Sequence, residues 1–110
     1  MDQHSTIDPI WDTVDRIHTW LDDHSTRPRE EEILLRVLKL SEEVGEVAGA
    51  VVGATGQNPR KGHTHEWTDV EAELCDVILT AMVALRSLTP AAAHVLEDRV
   101  GVVAERAALV

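Results

Sequence analysis

The sequence predicts an all-α protein: a four-helix, bundle-like domain completed by oligomerisation. Three observations carry that expectation. Apolar residues recur at helical spacing in four segments, helix-start and helix-stop residues bracket those segments, and no segment shows sustained apolar–polar alternation with turn chemistry. The 110 residues suit one domain with one core, spanning residues 1–110.

Each helix has its own signal. "DPIWDTVDRIHTWLDD" opens with Asp8 as the expected N-cap and Pro9 at the first helical position, where its missing N–H costs nothing. Ile10, Val14, Ile17 and Leu21 then repeat at helical spacing. The polar stretch "DDHSTRPRE" interrupts the chain, and Pro28 can start a second helix. Glu30, Glu31 and Glu32 stand in its first turn, where the helix dipole favours negative charge. This helix covers about residues 28–53 and ends at Gly53 or Gly56. The loop "GATGQNPRKGHTH" follows. Thr68 and Glu71 make a capping-box pattern for a third helix over residues 67–88. Thr89-Pro90 then leads into a fourth helix that runs to about Ala108.

Composition narrows the function. Twenty acidic and ten basic residues give a net charge of -10, which repels nucleic-acid backbones and anionic membranes. A small phosphorylated ligand remains compatible, provided that a cation stands beside it. No apolar run approaches the ~20 residues of a membrane span. The start "MDQHSTIDPIW" is acidic and polar, unlike a targeting peptide. The single cysteine, Cys75, excludes an internal disulfide. Together these features lead to the expectation of a soluble cytoplasmic protein.

Two carboxylate pairs carry the chemistry. At ~100° per residue, Leu34, Val37, Leu38, Ser41, Val44, Gly45, Ala48 and Val52 share one broad face of the second helix, the expected core side. Glu43 and Glu46 point roughly the other way, just before Val47–Ala54, a run with no polar side chain. A helix that is apolar all round is covered all round, so this one is expected to have two covered faces. In the third helix, Leu74, Ile78, Ala81 and Leu85 define the expected core side, and Glu73 and Asp76 stand on another. From Val77 to Leu85 the only polar side chain is Thr80. Carboxylates three apart on a helix are neighbours, with Cβ atoms ~5–6 Å apart. One such pair is ordinarily a solvated face. Two pairs set face to face would gather four negative charges, and their repulsion would raise their pKa values. A divalent cation removes that cost, and all-oxygen ligands favour Mg²⁺, with Mn²⁺ as a substitute, over Zn²⁺.

"EEVGE" (Glu42 to Glu46), a spacer and "ELCD" (Glu73 to Asp76) together resemble the signature of the MazG-like all-α nucleoside triphosphate pyrophosphohydrolases. The flanking "KLSEEVGEVAGAV" and "DVILTAMVAL" are similar to that family's two central helices, and the resemblance covers Leu34 to Leu88. It implies a MazG-type helical bundle working as a homodimer or homotetramer. It also implies Mg²⁺-dependent hydrolysis of an NTP or dNTP to the monophosphate and pyrophosphate. By matching positions, Glu43, Glu46, Glu73 and Asp76 would hold the metal. Glu42 would be an accessory carboxylate, and Glu42 or Glu46 would take the proton of the attacking water. Lys39, at the head of the matched stretch, joins the substrate-binding candidates. The chain departs from the family in the C-terminal stretch "LEDRVGVVAERAA". Arg99 and Arg106 can match the family's nucleotide-contacting cations there, but Val103 stands at the position of its asparagine.

Other residues are read from chemistry alone. Arg60 and Lys61 form the only Arg-Lys pair and are candidates for holding phosphates, against the plainer reading of a solvated turn. Trp11 and Trp20 are expected in the core or an interface. Trp67, just before the third helix, is the candidate for stacking on a base. His63 and His65 are loop histidines, ordinarily neither catalytic nor ligating. Cys75 is expected to be a small packed residue. Two rival readings stand beside the hydrolase. One is a non-catalytic helical module for oligomerisation or regulation. The other is a redox di-metal protein, disfavoured because neither acidic pair supplies a Glu-x-x-His.

Overall fold

The computed structural model describes residues 7–109. Four helices follow one another: α1 (Ile7–His24), α2 (Arg29–Thr55), α3 (Trp67–Leu88) and α4 (Ala92–Arg106). The expected all-α order is present, with shifted ends. α1 begins at Ile7, so Asp8 and Pro9 lie inside its first turn and Asp8 is not its cap. Pro28 holds the cap position of α2 with extended backbone, and Gly56, at φ 66°, ends that helix. The left-handed conformation selects glycine there. The capping pair of α3 is Glu66 and Asp69, not Thr68 and Glu71. Glu66 N–H donates to Asp69 Oδ2 at 2.8 Å, so the box closes two residues earlier. Thr89 ends α3, and its Oγ1 accepts the Ala91 N–H at 3.1 Å. α4 therefore starts only at Ala92 and stops at Arg106, short of Ala108.

α3 is the hub on which α1, α2 and α4 each pack. The hydrophobic core lies at the α1–α3–α4 junction, where Trp11, Val14, Met82, Val83 and Ala92 are buried. Ile17, Leu21, Leu85 and Leu96 extend it. Where α1 ends and α2 begins, a charged knot ties the helices together. Arg36 is buried; its Nε donates to Glu32 Oε2 at 3.0 Å, and a terminal nitrogen donates to Ser87 Oγ at 3.0 Å. Its other terminal nitrogen pairs with Asp22 at 2.9 Å. Arg29 donates to the Ser87 carbonyl at 3.1 Å. A buried guanidinium is tolerable only when paired in this way.

The expected core face of α2 is the wrong one. Leu34, Leu38 and Val44 are 58%, 55% and 54% exposed. The side packed on α3 carries Arg36, Ala50 and Gly53, all buried, and the Glu43 side chain at 12% exposure. α3 is mixed: of its expected core side, Leu85 packs on the core and Ala81 is half-buried, but Leu74 and Ile78 are exposed, whereas Val70 and Ala84 are buried. Periodicity marks an apolar stripe but does not say which molecule covers it. Cys75 is exposed as well, contrary to expectation. The result is an open frame with a radius of gyration of 17.2 Å. A compact domain of this length would have ~13 Å. No single helix among the described residues is long and apolar enough to cross a membrane.

Candidate metal and substrate site

α2 and α3 lie side by side, with Arg36 near Ser87 at one end and Gly53 near the loop that enters α3 at the other. Between these ends, Glu43 comes from α2 and Glu73 and Asp76 from α3. One oxygen from each carboxylate lies within 4.8 Å of the others. Mg²⁺ holds its oxygens at ~2.0–2.1 Å, so ligands on opposite sides stand about 4 Å apart and a small side-chain adjustment closes the set. The donors are all hard oxygens, which suits Mg²⁺ or Mn²⁺.

The charges agree with such a role. Burial pushes the Glu73 carboxyl above the ordinary glutamate range, and the negative charges of Glu46 and Asp76 add to the effect. A hydrogen bond with Asp76 and the Glu43 charge push the same way. The bare site therefore resists full ionisation, and a divalent cation would relieve it. Lys39 offers partial relief on one side, with Nζ 3.4 Å from Glu43 and 3.7 Å from Glu42. The Glu42 charge and the bond to Glu43 raise the Lys39 pKa.

A cleft of about 500 Å³ opens beside the carboxylates. Glu46, Gly49, Ala50, Val52 and Gly53 line it from α2, and Glu73 from α3. Asn58, Lys61, Gly62, Thr64 and His65 close it from the loop. The loop is seated on the end of α2. Thr64 N–H donates to the Gly53 carbonyl at 3.1 Å, and His63 Nδ1 lies 3.1 Å from the Ala54 carbonyl. A Cβ on Gly53 would collide with His65 and Thr64, and one on Gly56 with His63. Asn58 shapes the turn that presents Lys61. Its side-chain oxygen accepts the Arg60 N–H, and its carbonyl accepts those of Lys61 and Gly62.

Some of the sequence-predicted residues come together and others do not. Glu43, Glu73 and Asp76 form the trio, and Glu46 stands beside it on the cleft wall. Glu42 lies outside the trio, with its side chain 66% exposed and paired to Lys39. Lys61 lines the cleft, whereas Arg60 is exposed and absent from its wall. Trp67 is 57% exposed and also outside the cleft wall. Asn58 has no role in the sequence reading, Gly53 appears there only as a helix end, and His65 is set aside as an ordinary loop histidine. The spacing of Gly53 and Gly56 before a histidine-containing loop was the available signal. Comparison with protein-family models, characterised proteins and solved structures finds no match.

Proposed function

We propose that the chain is a Mg²⁺-dependent nucleoside triphosphate pyrophosphohydrolase of the MazG-like class. The observation that carries this reading is the convergence of Glu43, Glu73 and Asp76 at the edge of a cleft holding Lys61. Glu43, Glu73 and Asp76 would hold the ion. Bound there, Mg²⁺ supplies neutralisation of phosphate charge and acidification of a water.

The chain's own residues supply the rest. Lys61 binds the phosphate chain from the loop side as a point charge. Glu46, on the wall between the trio and Lys61, accepts the proton of the attacking water. The water oxygen bonds to phosphorus, the anhydride between the α and β phosphates breaks, and pyrophosphate leaves. Lys39 pairs with Glu43 across 3.4 Å and holds its side chain in place.

The working form is a homodimer, or a homotetramer built from it. Leu34, Leu38 and Val44 form an exposed stripe opposite the α3-packed side, interspersed with Gly45 and Ala48. An apolar stripe of this length marks an interface, and a two-fold pairing of like faces closes it. The deciding experiment is a panel of nucleoside triphosphates with Mg²⁺, assayed for pyrophosphate and monophosphate. Turnover of at least one substrate to those two products is expected. No turnover by metal-loaded protein would favour the non-catalytic module.

A further inference from the structure

Two histidines of the loop before α3 seat it on the end of α2, and they are not equivalent. His63 commits both ring nitrogens to that seat. Its Nδ1 lies 3.1 Å from the Ala54 carbonyl, and its Nε2 end packs over Gly56, where a Cβ would collide with it. His65 packs over Gly53 by the other edge of its ring, Nδ1 and Cγ. Its Nδ1 lies 2.9 Å from the Thr64 hydroxyl, and the ring has no other hydrogen bond among the described residues. Nε2 stands across the ring from the packed edge, and His65 lines the cleft together with Glu46, Lys61 and Glu73. We infer that His65 is a catalytic residue of the hydrolase, donating from its Nε2–H to the phosphate group that leaves as pyrophosphate; the inference rests on the function proposed above.

Thr64 sets the hydrogen on the correct nitrogen. Its hydroxyl has no other acceptor among the described residues and donates to Nδ1. In a neutral ring this leaves the hydrogen on Nε2, and a protonated ring carries one there as well. Thr64 is itself fixed, because its N–H donates to the Gly53 carbonyl at 3.1 Å. The Nε2–H is thus a donor held in one orientation by α2.

The charge of the cleft calls for such a donor. Two carboxylates, Glu46 and Glu73, line it, and Lys61 is the only lysine or arginine among its lining residues. A triphosphate entering the cleft brings several negative charges, of which a divalent ion and Lys61 offset a part. As the reaction proceeds, the water oxygen bonds to the α phosphorus and the bond from that phosphorus to the bridging oxygen breaks. The electron pair of the broken bond stays on the departing pyrophosphate. A fixed donor beside that group strengthens as the charge develops, which lowers the barrier with no proton leaving the imidazole. The proton of the water goes to Glu46, so the two side chains act on opposite ends of the displacement.

Two amide substitutions separate the nitrogens. In His65→Gln the side-chain amide nitrogen reaches about as far as Nε2, whereas in His65→Asn it reaches only about as far as Nδ1. Kinetics are measured with Mg²⁺ and the nucleoside triphosphate that wild type hydrolyses fastest. His65→Asn is expected to lower kcat by at least about tenfold, and His65→Gln to recover most of that loss. KM, Mn²⁺ affinity by calorimetry and melting temperature should change little in either variant. Thr64→Val, which frees the ring while keeping the shape of the seat, should lower kcat severalfold at unchanged KM. Circular dichroism checks folding, and Thr64→Val carries the test should His65→Asn unfold. Wild-type kcat in both His65 variants, while Glu73→Gln is inactive, would overturn the role of His65 and leave the hydrolase reading standing. So would equal losses in His65→Asn and His65→Gln, the mark of a loop seat alone. Wild-type protein that turns over no nucleoside triphosphate overturns both.

Discussion

Lys39 Nζ lies 3.4 Å from Glu43 Oε1, one helical turn away along α2. A lysine is thereby set against one of the three carboxylates proposed to hold the metal. It offsets their repulsion in the bare protein and opposes the approach of a second cation. Lys39→Met should therefore tighten Mn²⁺ binding several-fold by calorimetry and lower the melting temperature of the metal-free protein. Weaker Mn²⁺ binding would show instead that Lys39 acts chiefly by orienting Glu43.

Glu73 gives a pH dependence with a definite sign. Burial first, then the charges of Glu46 and Asp76, raise its pKa above the ordinary glutamate range. A raised carboxyl stabilises the fold fully below its ordinary pKa, and that contribution is lost as pH rises through the raised value. Metal-free protein should accordingly lose melting temperature from acidic toward neutral pH, and Glu73→Gln should flatten that loss. The same variant, like Asp76→Asn, should abolish hydrolysis and Mn²⁺ binding. Full turnover by either would remove the metal assignment.

His18 pulls in the opposite direction. Its side chain is buried beside Asp22, with Nε2 3.3 Å from Oδ2. Burial lowers its pKa; Asp22 raises it, while Arg86, Arg36 and Arg29 push it further down. A depressed histidine contributes stability above the ordinary imidazole pKa and loses it as pH falls through the folded value. Melting curves between pH 7.5 and 5.5, about one unit either side of an ordinary histidine, should fall more steeply for wild type than for His18→Gln. Equal slopes would mean that His18 is not linked to folding.

The loop seat depends on missing atoms. Gly53→Ala places a methyl where the His65 ring and Thr64 hydroxyl pack. Such overpacking costs about 1–3 kcal/mol. Lower thermal stability and a loss of turnover larger than that of Gly101→Ala are expected, because nothing lies within 4 Å of a Cβ at Gly101. Matching behaviour of the two variants would mean that the loop sits elsewhere in solution.

Assembly is tested through the exposed stripe of α2. Leu38 is 55% exposed in the isolated chain. Leu38→Glu should shift the protein from dimer to monomer in sedimentation at micromolar concentration, whereas Glu97→Gln, exposed on α4, should leave it dimeric. A wild-type chain that sediments as a monomer would exclude this interface.

The four helices were legible because caps and periodicity are local properties of the chain. Pro28, Gly56 and Thr89 mark ends that neighbouring residues alone determine. The four candidate carboxylates were legible for the same reason, as i and i+3 pairs on two helices, although only Glu43, Glu73 and Asp76 come together. What is covered by what was not legible. Leu34 and Leu38 read as core because they are apolar, although the chain packs the Glu43 side inward instead. The burial of Arg36 has no sequence signal, and only Glu32, Asp22 and Ser87, brought together by the fold, make it tolerable. The separation of Glu42 and Glu46 from the trio depends on how α2 crosses α3, which no local pattern encodes.

The pairing of α2 and α3 is fastened at its two ends and gathers carboxylates in its middle. Arg36 and Arg29 grip Ser87 at one end, and Thr64 is hydrogen-bonded to Gly53 at the other. Between these anchors, Glu43, Glu73 and Asp76 each bring an oxygen within 4.8 Å of the others, and their charges repel. Such a span bows outward at its centre before either anchor gives way. Amide hydrogens near Glu43 and Glu73 should then exchange with solvent sooner than those near Arg36 and Ala84. A divalent ion, drawing the carboxylates inward, would slow exchange at the centre while leaving the anchors unchanged, so the ion would act on the span as a tensioned stay.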